Sequence, residues 1–242
     1  LLTGNWSSER ALFLKRLVVI EPLFEQMLKF SPNASDIWLA RARRFALSSE
    51  WEAAAEAFEQ SKELRVPEFA TWFEIACSLR LAGRHDAYGD LVSTFAERME
   101  EPHESYDGFV FARTLGLATQ EKQLGEKAVP LAQAAVEEAK QPFLVHGLGL
   151  AQLRAGDYQN ARRTLTTSMN LNWGIGQNRA ALSLVHSALK QQAEAEEWLI
   201  AAKEFRQEKL ETSKDGVVNA HPIDWLALNA LIAEAEAAME NP

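Results

Sequence analysis

Few residues in this sequence stand where they could do chemistry together. Gly147-Leu148-Gly149 could open a phosphate-cradling turn, but the dinucleotide fingerprint needs a third glycine three residues later, just after a strand. The next glycine is Gly156, and the stretch before Gly147 is QPFLVH, with no β-branched run. The histidines are His85, His103, His146, His186 and His221; no two sit at metal-ligand spacing on a helix, and there is no HExxH. No metal site is expected. Cys77 is the only cysteine. A nucleophilic thiolate needs an activating neighbour, and the expectation for Cys77 is a buried or groove-wall thiol. The acidic pairs Glu100-Glu101, Glu137-Glu138 and Glu196-Glu197 lie in Ala-rich segments and read as solvated faces, whereas acid–base pairs need a desolvated cleft. The reading is of a non-enzyme, with no catalytic residue and no cofactor.

The bulk properties narrow the partners. The 242 residues, 47% hydrophobic and 24% charged, suffice for a substantial core of ordinary globular composition. Abundant Ala, Leu, Glu, Arg and Gln favour helix. A net charge of −9 argues against nucleic acid, which needs a basic face. A lone cysteine gives no sign of an oxidising compartment. No apolar run is long enough to cross a bilayer, and LLTGNW opens without Met or a signal pattern. The expectation is a cytoplasmic protein without a membrane partner, excised from a longer chain.

The organising signal is a period. Trp38 falls over Trp72, Ala42 over Ala76, Phe45 over Leu79, Ser49 over Gly83 and Phe58 over Val92, all at an offset of 34. Gly149 and Gly156 occupy the Ala42/Ala76 and Ser49/Gly83 positions, so the Gly-x-Gly belongs to the repeat. Tyr158, Ala161 and Leu165 then match Trp51, Ala54 and Phe58, and Leu182-Ser183, Ala195, Leu199 and Ala202 follow 34 residues on. A small residue at 42, 76 and 149 lets paired helices approach closely. Gly83 and Gly156 supply the left-handed residue that ends a helix. Pro22 should start or kink a helix in the Trp6–Phe30 segment.

With W-x-x-x-A at 38–42 and 72–76, Leu148-Gly149, AGDYQNA at 155–161 and small residues at Ser61, Ser168 and Ala202, the chain resembles the tetratricopeptide repeat family. The resemblance implies an all-α, right-handed TPR-like superhelix (a solenoid) of antiparallel helical hairpins. The expected division is an irregular N-terminal helical segment at 1–34, then units at 35–68, 69–104, 105–141 and 142–175, and a fifth at 176–210. The third has a longer inter-helix turn and a small-residue face of Ala128, Ala132 and Ala135. A polar loop at 211–220 with an Asp215-Gly216 turn leads to a capping helix at 221–242. Trp225, Leu228, Ile232, Ala235 and Met239 lie on one face of that helix, expected to cover Trp198, Leu199 and Ala202. The other reading of 211–242 is a mobile tail. The arrangement is also similar to the C-terminal tetratricopeptide segments of large bacterial proteins that carry a Ser/Thr protein kinase or WD40 domain, although no kinase signature is present.

For function, the resemblance implies a protein–protein interaction module whose concave groove binds a peptide or partner domain. The matching groove positions are Leu39, Arg43, Phe73, Cys77, Arg80, Phe109, Arg113, His146, Leu150 and Arg154. The Lys/Asn clamp by which some family members grip C-terminal carboxylates is missing, since Leu39, Arg43, Phe73 and Cys77 stand there. What remains is a ladder of arginines among apolar groups, suited to an acidic protein or peptide. The residues alone leave open whether these arginines read a ligand or are solvated and paired with nearby glutamates. A regulatory or spacer segment of a larger protein is the alternative. Trp173, in NWGIGQN, has no assigned place.

Overall fold

The computed structural model describes residues 21–99, 104–117, 122–139, 141–213 and 217–240. Expectations for the segment before Glu21, for Glu100-Glu101 and His103, for most of the long turn after Leu117 and for the Asp215-Gly216 turn lie outside them. The described residues form helices without an extended strand. A first helix α1 (Glu21–Phe30), with Pro22 in its first turn, precedes five sequential pairs: α2 (Ser35–Leu47) with α3 (Trp51–Leu64), α4 (Phe69–Leu81) with α5 (His85–Arg98), α6 (Ser105–Leu115) with α7 (Lys122–Ala139), α8 (Pro142–Arg154) with α9 (Tyr158–Asn170), and α10 (Ile175–Ala188) with α11 (Gln192–Glu211). The last helix is α12 (Pro222–Glu240).

The 34-residue period has a hydrogen-bonded cause. Ser49, Gly83, Gly156 and Lys190 all have positive φ, from 59° to 81°. At each, the next residue's N–H reaches back to a carbonyl five residues earlier: Glu50 to Phe45, Arg84 to Leu79, Asp157 to Gln152 and Gln191 to His186, all at 2.9 Å. This Schellman closure ends the first helix of a pair and turns the chain tightly. Ser49 and Lys190 adopt it without glycine, at a steric cost of roughly 1–2 kcal/mol each.

The other recurring spacings also resolve into contacts. Ala42 and Ala76 are fully buried. A Cβ added at Gly149 would stand 2.7 Å from the Leu165 side chain, so only glycine allows α8 and α9 to pack this closely. Ser61 Oγ donates to the Ser35 carbonyl (3.0 Å) and Ser168 Oγ to the Pro142 carbonyl (3.1 Å), each fastening the end of a second helix to the start of its partner. Ala128, Ala132 and Ala135 form the buried face of α7.

The C-terminal segment departs from the expectation. As a cap should, α12 packs on α10 and α11, but it also crosses to α4 and α2 at the other end of the array. Its buried residues therefore surround the axis: Leu226, Ala227, Ala230 and Leu231 are as buried as Trp225, Leu228, Ile232 and Ala235. The helix thus covers α10 and α11 as a cap does, and over residues 225–232 it is buried on more than one face. The preceding loop is not simply polar either. Val217 and Val218 are buried, and the Val218 N–H donates to the Leu47 carbonyl at 3.1 Å.

Candidate functional site: the concave face

The ten residues expected to line a groove lie on α2, α4, α6 and α8; α12 packs on α2 and α4 and reaches α8 through Arg154 and Glu234. Phe73, Cys77, Phe109, Arg113, His146 and Leu150 are buried, and Leu39, Arg43, Arg80 and Arg154 are half-buried. Burial pushes the Cys77 thiol far above its usual range, so it is protonated and inert.

The arginine ladder divides three to one. Arg43 makes a two-pronged bond to Glu74, with Nε to Oε1 at 2.9 Å and Nη2 to Oε2 at 2.6 Å; the Glu74 side chain is only 2% exposed. Arg80 contacts His85 Nδ1 at 2.6 Å and stacks over Tyr88. Arg154 binds both oxygens of Glu234 on α12 and the Gly116 carbonyl. Burial opposes its charge, but Glu234 outweighs this and raises its pKa. Of the two alternatives that the residues left open, Arg43 and Arg154 take the pairing with glutamates, and Arg80 is held by His85 and Tyr88.

Arg113 differs. It is 5% exposed, and its Nε and Nη2 have no hydrogen-bond partner. Its charge rests on rings instead: the guanidinium carbon is 4.1 Å from the Phe73 centroid, 5.5 Å from Phe109 and 5.7 Å from Trp173. Burial lowers its pKa, and Asp224 on α12 opposes that shift. Trp173 thus gains a place, packed also on Phe143 and His146. His146 is fully buried, with Nδ1 2.9 Å from Asn178 Oδ1. Its pKa falls to about 3, through burial first and then the Arg113 charge, so the ring is neutral.

Sequence reasoning missed the polar groups of α10 and α12 that complete this face. Asn178 Nδ2 donates to Ser168 Oγ and to the Trp173 carbonyl, and Gln177 Nε2 to the Asp224 carbonyl. Glu234 follows the apolar stretch 230–233, and the sequence alone does not distinguish it from Glu236 as the acid that meets a cation. Among the described residues no group of His, Cys, Asp or Glu side chains could hold a metal ion, and no helix is long and apolar enough to cross a membrane.

The architecture is a tetratricopeptide-like superhelix of antiparallel hairpins with its C-terminal helix packed inside. It is similar to the structure of PilW, a type IV pilus biogenesis factor, at 15% identity and a TM-score of 0.52, covering 86% of this chain and 94% of that one. It is also similar to a chain of the APC/C hetero-tetramer Cut9–Hcn1, at 16% identity and a TM-score of 0.51, covering 96% of this chain and 46% of that one. At these identities the likeness concerns the fold. No family model matches the chain, and no curated protein matches its sequence.

Proposed function

We propose that this chain is a non-catalytic protein–protein interaction module whose concave face receives a helical peptide or a partner domain. The observation that supports it is α12 itself, a helix of this chain that packs against α2, α4 and α10. Helix-in-groove recognition uses the same apolar contacts.

A second reading has its own observation. Because α12 packs on α2, α4 and α10 and Arg43 and Arg154 are neutralised internally, the chain also suits a regulatory or spacer segment of a larger kinase- or WD40-containing protein. Photo-crosslinking separates the two. A crosslinking residue is placed in the full-length chain at Leu39 or Tyr106, beside the groove, or at Ile200, exposed on α11. A discrete protein captured from 39 or 106 supports the groove; capture from 200 alone moves the working surface outside it; products within the same polypeptide alone favour the spacer.

A further inference from the structure

Antiparallel pairing brings the starts of α6 and α8, the end of α7 and the turn into α10 to one edge of the array. Ser168, near the end of α9, is bonded to the Pro142 carbonyl at that edge. Three aromatic rings form a row along it. Tyr106 and Phe143 are 6.5 Å apart between centroids, and Phe143 and Trp173 are 6.4 Å apart. Tyr106 is 45% exposed, Phe143 and Trp173 are half-buried, and Leu171 beside Trp173 is 51% exposed.

Carboxylates flank the row. Glu104 and Asp107 stand on either side of Tyr106 in the chain, and Glu137 and Glu138 lie in the last turn of α7. Glu104, Glu137 and Glu138 are exposed, and Asp107 is half-buried. Glu104 and Asp107 cap the start of α6, each accepting a backbone N–H from the other residue, and Gln133 donates to Glu137. A carboxylate offers about four acceptor sites, so each keeps capacity for a cation. None of the four is in an ion pair among the described residues. Elsewhere the chain sets its own cations on its rings. Arg41 is 5.5 Å from the Trp38 centroid, Arg98 is 5.5 Å from Trp72, and Lys209 is 5.3 Å from Phe205. The buried Arg113 takes Phe109 and Trp173, with Asp224 opposing its charge. Tyr106 and Phe143 hold no cation among the described residues.

We propose that this edge docks a basic segment of a partner protein, with an arginine side chain over the Tyr106 and Phe143 rings and neighbouring cations on Glu104, Glu137 and Glu138. The faces of aromatic rings attract a guanidinium, and more so once contact has removed water from it. The flanking carboxylates complement a basic segment, speed its encounter and reject an acidic one. The surface lies beside the concave face and does not depend on it. A basic peptide that fails to bind here leaves the concave-face reading standing, and a concave face that captures nothing from residue 39 leaves this edge standing.

The test titrates a fluorescein-labelled heptapeptide of alternating glycine and arginine with the full-length chain, read by fluorescence polarisation. The expected result is saturable binding that weakens with salt, and none for the same peptide carrying glutamate in place of arginine. Tyr106→Leu keeps an apolar side chain but removes the ring, and should weaken binding by about fivefold. Tyr106→Phe keeps the ring and should bind like the parent. Glu137→Gln with Glu138→Gln, both at exposed positions, should also weaken binding and flatten its salt dependence. Glu196→Gln with Glu197→Gln removes the same charge from the start of α11, at the opposite edge, and should change binding little. Thermal melts of all these variants should match the parent. Absence of saturable binding, a Tyr106→Leu protein that binds like the parent, a Tyr106→Phe protein that does not, or equal weakening by the α11 pair overturns the proposal.

Discussion

Arg154 on α8 and Glu234 on α12, 80 residues apart in sequence, meet in a two-pronged ion pair, Nη1 to Oε1 and Nη2 to Oε2, both at 2.6 Å. Their side chains are 10% and 17% exposed, so water screens the pair little. Breaking a buried pair from one side strands a charge, at about 3–5 kcal/mol. Glu234→Gln should therefore destabilise the chain strongly, and adding Arg154→Met should recover much of the loss. Urea denaturation of the two single variants and the double variant checks this; additive losses would show that the two charges act independently.

Arg113 predicts the opposite sign. Its Nε and Nη2 lack partners, and three aromatic rings offset only part of the desolvation. Replacing such a cation by an apolar side chain of similar volume is neutral or stabilising by about 1–4 kcal/mol. Arg113→Met should melt no lower than the parent. By contrast Arg43→Glu would set two carboxylates together at the buried Glu74 and should melt far lower.

His146 makes the chain acid-sensitive. Its folded pKa of about 3 lies below the unfolded value of 6.5, so the unfolded chain binds a proton that the folded chain refuses. Its contribution is complete above pH 6.5 and is lost as pH falls from there toward 3. Between pH 7 and pH 5 the loss is about 2 kcal/mol, following linkage at 1.36 kcal/mol per unit. Urea midpoints should fall over that range, and His146→Gln should flatten the slope while lowering stability throughout.

Removing residues 212–242 should do more than uncover one hairpin. It exposes the concave sides of α4 and α10, and forfeits side chains such as Trp225, Leu226, Leu231 and Ile232, each contributing roughly 1.5–3 kcal/mol before entropy. Thermal melts and light scattering should find a lower, broader transition and self-association. A monomeric truncation that melts with the parent would show that α12 is dispensable.

Cys77 supplies an internal probe. Fully buried and protonated, it should resist a thiol reagent in the folded chain and react only on opening, at a rate that rises with urea. Rapid labelling without denaturant would place the thiol at the surface.

The hairpins were legible because each rests on local chemistry. Gly83 and Gly156 announce the left-handed residue of a Schellman turn, and Ala42, Ala76 and Gly149 announce close helix approach. The path of α12 was not legible. Trp225, Leu228 and Ile232 declare that they are buried but not against which helices, and a stripe drawn through them hides the buried Leu226, Ala227 and Leu231 between. The pairing of the arginines was left open for a related reason. Positions on α2 and α8 locate Arg43 and Arg154, but their neutralising acids come from Glu74 and Glu234, whose proximity only the assembled superhelix creates.

The bond from Val218 to Leu47 has a consequence for the number of hairpins. In an open stack each hairpin leans on its neighbours, and one inserted in the middle simply lengthens the stack. Here a single rod of 19 residues, about 28 Å long, touches α2, α4 and α10 at once. An extra hairpin would carry its two anchorages apart farther than the rod can reach, and a lost one would crowd them together. Insertion of a hairpin between α2 and α10 is therefore closed to this chain. The helix is a gauge, permitting each hairpin to drift in composition while holding fixed the number that it spans between α2 and α10.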